Sequence, residues 1–197
     1  MLYFSSLLQT NPTYKPAADN LFAALDLFNI KYKFISNTKD IWVRDFMPVK
    51  TGSGKYISFR YEPSYLYGYP ELRTDYRKDI AREQGLSDVT YSDINLDGGN
   101  IVFSPSKQKV IISDRIFSEN PKYPVLKLTE ELERLLGAQV IIIPALSARY
   151  DMTGHADGMV PSPPKSTYAF HKRKIKASSV LVLDLRKASL RPRSCQP

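Results

Sequence analysis

At 197 residues the chain is long enough for one domain and a fraction, and its 43% apolar and 24% charged content is that of a globular protein rather than a disordered or fibrous one. No apolar run approaches the roughly 18 to 20 residues of a membrane span; residues 140–146 come nearest and carry Pro144. The net charge of +8 divides unevenly, with 19 basic against 19 acidic side chains in residues 1–160 and nine Lys and Arg against the single Asp184 in residues 161–197, so the body has no footprint for nucleic acid and none is expected as a partner.

The apolar start has no basic residue before Lys15, a poor match to a secretory leader, and the lone Cys195 rules out an internal disulfide or a cysteine-cluster metal site. Both features suit a cytoplasmic, reducing location with no membrane association.

In chain order, residues 2–8 read as a strand. Leu21, Phe22, Leu25 and Phe28 then fall at helical spacing after Pro16, whose fixed φ suits a helix start. Strands follow in residues 32–36 and 46–49, and again in residues 56–61 after the turn at 51–55. Residues 70–84 are charged and helix-compatible, and 88–92 are strand-like. Residues 100–103 and 109–113 form a hairpin pair across 104–108. The next helix carries Leu128, Leu132, Leu135 and Leu136 on one face and closes at Gly137, before a buried strand at 138–144. Strand, helix and paired strands recur, which is an α/β pattern. After Val160 the texture changes to Pro/Ser-containing and basic, so residues 1–160 read as the folded part and 161–197 as a tail foreign to the fold.

Three stretches set ionisable groups beside turn-forming residues: Asp40 to Val49, Asn95 to Val102 and Thr153 to Val160. In the first, Trp42 precedes Arg44 and Asp45. Taken alone, that segment reads as a buried Trp with a structural Arg44/Asp45 ion pair. In the second, Asp97 precedes Gly98 and Gly99, by itself the mark of a hairpin turn. In the third, His155 and Asp157 stand two apart and share a side of an extended backbone. Together, three carboxylates and an imidazole suit a planar cation: Asp45 and Asp157 for a two-pronged hold on a guanidinium, His155 to move protons, Asp97 to fix its tautomer.

The order W-x-R-D-x-x-P at 42–48, D-G-G-N at 97–100 and G-H-x-D-G at 154–158 resembles the agmatine deiminase and bacterial-type peptidylarginine deiminase family, within the guanidino-group-modifying (pentein) superfamily. The resemblance covers most of residues 1–160. It implies a five-bladed α/β propeller of ββαβ units, here a partial one missing its C-terminal blades. It also implies a cysteine thiolate that attacks a guanidinium carbon, and no metal or organic cofactor. By carry-over, Asp45 and Asp157 grip the guanidinium of agmatine or of an arginine side chain, His155 serves as acid and then base, Asp97 orients His155, and Trp42 walls the substrate slot.

Two departures stand out. Asp97 occupies a position where many relatives carry glutamate, which keeps the carboxylate but shortens its reach. Family members run longer, with the nucleophile shortly after a glycine pair, whereas Cys195 has no such pair before it. The sequence therefore reads as a truncated member that lacks turnover. Two alternatives stay open: a metal-dependent hydrolase using His155, Asp157, Asp97 and Asp45 as ligands, and a non-enzymatic anion-binding protein acting through its basic tail.

Overall fold

A computed structural model describes residues 1–160. The chain opens with β1 (Leu2–Ser5), α1 (Leu7–Thr10), α2 (Lys15–Leu27) and β2 (Tyr32–Ile35), and β1 and β2 pair in parallel, Phe4 opposite Phe34. α2 docks on this small sheet through Phe22, which stacks on Tyr32 at 5.1 Å and meets Phe4 and Phe34 edge-on at 5.3 and 5.0 Å. Such offset and T-shaped contacts contribute about 0.5–1.5 kcal/mol each beyond area burial. The expected helix forms, but of its expected apolar face only Phe22 is buried, alongside Ala18; Leu21 is exposed and Phe28 caps the C-terminus in solvent. The strand expected over residues 2–8 ends at Ser5, because Leu7 onward turns into α1.

Two ββαβ units follow. In the first, α3 (Val43–Phe46) leads into β3 (Val49–Lys50) and β4 (Tyr56–Arg60), which pair antiparallel. A long crossover then leads to β5 (Val89–Asn95), parallel to β4. The crossover is not the single helix expected over residues 70–84. It consists of 3-10 turns at Ser64–Leu66 and Pro70–Leu72, a π turn at Tyr76–Ile80, and α4 (Ala81–Gln84). Asp75 caps the π turn through Lys78 N, and Gly85 ends α4 in the left-handed region at φ 59°. In the second unit, β6 (Val102–Phe103) and β7 (Lys109–Ser113) pair antiparallel across the expected turn; then come α5 (Arg115–Glu119), α6 (Val125–Leu136) and β8 (Gln139–Ile143), parallel to β7.

α6 matches its sequence pattern closely. Leu128, Leu132 and Leu136 are fully buried, and Gly137 caps the helix at φ 62°. Their side chains join Ile57, Ile94, Ile112 and Ile142 in one core shared by both three-stranded sheets. Each such burial contributes about 1.5–3 kcal/mol. A second core, with Ile35, Phe46, Tyr61, Leu66, Tyr76 and Ile80, ties the first sheet to α3 and the long crossover. Among the described residues no helix is long and apolar enough to cross a membrane. The expectation for 161–197 lies outside the described residues.

Candidate active site

The four ionisable residues singled out from sequence come together where three connections meet. Asp45 sits in α3, Asp97 in the connection from β5 to β6, and His155 and Asp157 in the segment after β8. The β4–β5 register shifts between Phe59 and Arg60, a bulge that lets the end of β5 leave the ladder. Asn95 secures that departure: its amide clasps both backbone groups of Glu62 at 2.8 Å, and its own N–H donates to Asn120 Oδ1 at 2.8 Å. The chain then delivers Asp97 and the single 3-10 turn Gly98–Asn100, which carries on into the next sheet. It is not the hairpin turn that the isolated Asp-Gly suggests.

This strip organises everything around it. Asp97 Oδ2 lies 2.7 Å from His155 Nε2. Gly99 N donates to Asp45 Oδ1 at 2.8 Å, and Gly99 O accepts from Asp157 N at 3.2 Å. Asn100 Oδ1 accepts from Ser113 N at 2.8 Å and Ala156 N at 3.2 Å, so a buried amide pins the histidine segment to β7. Ser113 Oγ adds a bond to Gly154 O at 2.7 Å. Both glycines are required by contact rather than by backbone angle: a Cβ at Gly98 would overlap the Arg44 carbonyl, and one at Gly99 would overlap His155 Nδ1 and Asp45 Oδ1.

His155 is 7% exposed. Burial alone would lower its pKa, but the hydrogen bond it donates to Asp97 and the charges of Asp45, Asp97 and Asp157 outweigh that and raise it above 6.5. Asp45 Oδ1 stands 3.9 Å from His155 Nδ1. Desolvation pushes Asp45 up to about 6; the imidazole and the Gly99 N–H pull it down, and the neighbouring Asp97 and Asp157 push it up. An ionised carboxylate only accepts, so Nε2 carries the proton toward Asp97 and Nδ1, facing Asp45, is left to exchange protons.

Asp157 does not lie on an extended backbone. Met159 N and Val160 N both return to Ala156 O, so the chain turns there. Its Oδ2 accepts from Arg44 Nε at 3.1 Å, and Arg44 also reaches Ile101 O at 2.9 Å. Arg44 therefore pairs with Asp157 rather than with Asp45. Trp42 is likewise not a core residue: it is 62% exposed beside Val43, and its indole joins none of the ring contacts among the described residues. A cavity of about 590 Å³, lined by Val43, Arg44, Met47, Tyr56, Gly98 and Phe103 among others, shares Arg44 and Gly98 with the site but none of its four ionisable residues. Cys195 lies outside the described residues. So does the basic tail of the anion-binding alternative. Among the described residues no group of three His, Cys, Asp or Glu side chains is placed to hold a metal ion.

Residues that the sequence did not single out complete the surroundings. Tyr65 OH donates to Asp97 Oδ2 at 3.1 Å, and its ring meets the imidazole edge-on at 6.1 Å. Arg115 lies over the Tyr65 ring, 5.0 Å from guanidinium carbon to ring centre, and is paired with Glu119 at 2.7 Å. Tyr65 stands in an aromatic-rich loop with no motif to mark it. Asn100 was visible in D-G-G-N, but nothing in its spacing foretold the bridge to Ala156.

A family model for Porphyromonas-type peptidyl-arginine deiminase matches residues 7–191. Among solved structures, the chain is similar to an agmatine deiminase of C. jejuni, with TM-score 0.55 and 16% identity over 79% of this chain and 56% of that one. A cysteine-to-serine form of the C. jejuni enzyme with substrate bound gives TM-score 0.52 and 16% identity over 73% and 53%. An Enterococcus faecalis agmatine deiminase gives 0.50 and 19% over 64% and 38%. The chain thus spans about half the length of these structures or less, and its α/β fold is part of theirs. No curated protein sequence matches it.

Proposed function

The chain belongs to the Porphyromonas-type peptidyl-arginine deiminase family, and from that premise we propose that residues 1–160 supply the guanidinium-holding and proton-moving part of a deiminase site. The observation that carries the reading is His155, held at Nε2 by Asp97 at 2.7 Å while Nδ1 looks toward Asp45 at 3.9 Å. Asp45 and Asp157 offer carboxylates for the two-pronged hold on a planar cation; Asp157 keeps Oδ1 for this while Arg44 steadies Oδ2. Trp42 forms an outer wall of the slot.

In the whole reaction a thiolate adds to the guanidinium carbon. His155 gives its Nδ1 proton to the departing amine, which leaves as ammonia. His155 then takes a proton from the water that displaces the thiolate, giving a ureido product. Atoms balance as guanidine plus water to ureido compound plus ammonia, with no metal or organic cofactor. Residues 1–160 contain no cysteine, and Cys195 lacks the glycine pair expected before a nucleophile. The 197-residue chain accordingly binds a guanidine without turning it over. The guanidinium held there would be that of agmatine or of an arginine side chain.

Calorimetric titration with agmatine and with an N-acylarginine amide tests this, alongside a colorimetric ureido assay. Binding of agmatine that is lost in Asp45→Asn and Asp157→Asn, with no ureido product, is the expected result. Absence of binding to either guanidine, or binding indifferent to both substitutions, overturns it.

A further inference from the structure

Asp97 receives two hydrogen bonds on one oxygen. His155 Nε2 lies 2.7 Å from Oδ2, and Tyr65 OH donates to the same atom at 3.1 Å. Tyr61 OH stands 3.5 Å from Tyr65 OH, the outer end of a line running Tyr61, Tyr65, Asp97, His155. The phenol is not left to choose its place. Ser64, the residue before it, gives its N–H and its hydroxyl to Glu119 at 3.0 and 2.6 Å. Glu119 is held in turn by Arg115 at 2.7 Å and Asn95 at 3.1 Å, and Arg115 covers the Tyr65 ring while bonding Ser64 Oγ and Met152 O at 3.0 Å each. The Arg115–Glu119 pair is one of the more buried ion pairs, with side-chain exposures of 16% and 8%.

We propose that Tyr65 is a positioning residue that sets the proton affinity of His155 by competing for the Asp97 oxygen that the imidazole uses. A donor on Oδ2 draws charge from that oxygen and weakens its hold on the imidazolium. The clamp of Ser64, Arg115 and Glu119 keeps the donor in place. Other groups also face the imidazole: Asp45 from α3, and Asp151 and Asp157 from its own segment, the last engaged by Arg44. None of these touches Asp97 Oδ2, so the Tyr65 effect is separable from theirs. The inference rests on the proton-moving role assigned to His155. It is tested without any guanidine, so failed guanidine binding and failure of this inference give different results.

The chain holds two histidines, and a His171→Asn background leaves His155 as the sole imidazole for NMR titration. Tyr65→Phe keeps the ring and its cover while removing the hydroxyl. It is expected to raise proton affinity at His155 about threefold or more, by the strength of a hydrogen bond to a charged group. The same change in an Asp97→Asn background is expected to do nothing. Site-specific 3-fluorotyrosine at position 65, a stronger donor of nearly the same shape, is expected to shift the midpoint the opposite way, downward, and serves even if Tyr65→Phe fails to fold. An unmoved midpoint with both replacements, or an equal shift without the Asp97 carboxylate, overturns the proposal.

Discussion

Asp97 and His155 stand 58 positions apart in sequence and 2.7 Å apart in space, both largely buried. This contact, more than any other, favours the charged form of the imidazole: His155's pKa is raised above 6.5 against the opposing pull of burial. The raised folded value stabilises the fold most fully below the ordinary histidine value and loses that contribution as pH climbs through the folded midpoint. Asp97→Asn should therefore lower the NMR midpoint of His155. It should also cost more stability at pH 5.5 than at pH 8.5, as measured by urea unfolding.

Asp45 predicts a conflict between stability and binding. Its folded pKa is about 6 against 3.8 for an ordinary aspartate, chiefly from desolvation. The sign is that its favourable contribution is complete below the ordinary range and is lost as pH rises through about 6, so near neutrality the buried charge weighs against the fold. Asp45→Asn, whose amide oxygen can still accept from Gly99 N, should raise the melting temperature at pH 7 while abolishing guanidine affinity. In the unaltered chain, agmatine affinity measured by calorimetry should fall as pH drops below about 6.

Gly99 gives a steric prediction. Because any Cβ there meets His155 Nδ1 and Asp45 Oδ1, Gly99→Ala must displace the imidazole or the carboxylate. We expect a destabilisation of about 1–3 kcal/mol, typical of overpacking, and at least tenfold weaker guanidine binding. An alanine variant that binds as well as the parent would mean that the two groups are not in contact with this backbone.

Asn100 and Leu132 separate the site from the scaffold. Asn100→Ala strands the buried N–H groups of Ser113 and Ala156, at a cost of about 2–4 kcal/mol, and should broaden the His155 resonance. Leu132→Ala opens a cavity in the shared core and costs about 2–5 kcal/mol. At temperatures where it remains folded, the His155 midpoint should stay unchanged.

Sequence patterning reached what repeats locally. The leucine face of α6, its Gly137 cap and the β6–β7 hairpin were visible because period and turn chemistry are local signals, whereas the ββαβ grouping was implied only by the family resemblance. The crossover between β4 and β5 was not, since its π turn depends on Tyr76 and Ile80 entering the second core, a tertiary contact. At the candidate site, the residues Asp45, Asp97, His155 and Asp157 that the structure brings together were legible as three motifs in order. Trp42 and Arg44 were misjudged on their own because an exposed indole and a cross-chain partner are facts of three-dimensional neighbourhood. Tyr65 left no trace, being one tyrosine among 13.

The strip from Asp97 to Asn100 has a consequence for how the molecule comes together. Its four residues reach α3, β7 and the segment after β8, so no single sheet can assemble the cleft alone. A cation lodged between Asp45 and Asp157 would tie α3 to that last segment. A guanidine bound there would then act as a thermodynamic staple, raising the unfolding midpoint roughly with the logarithm of its concentration.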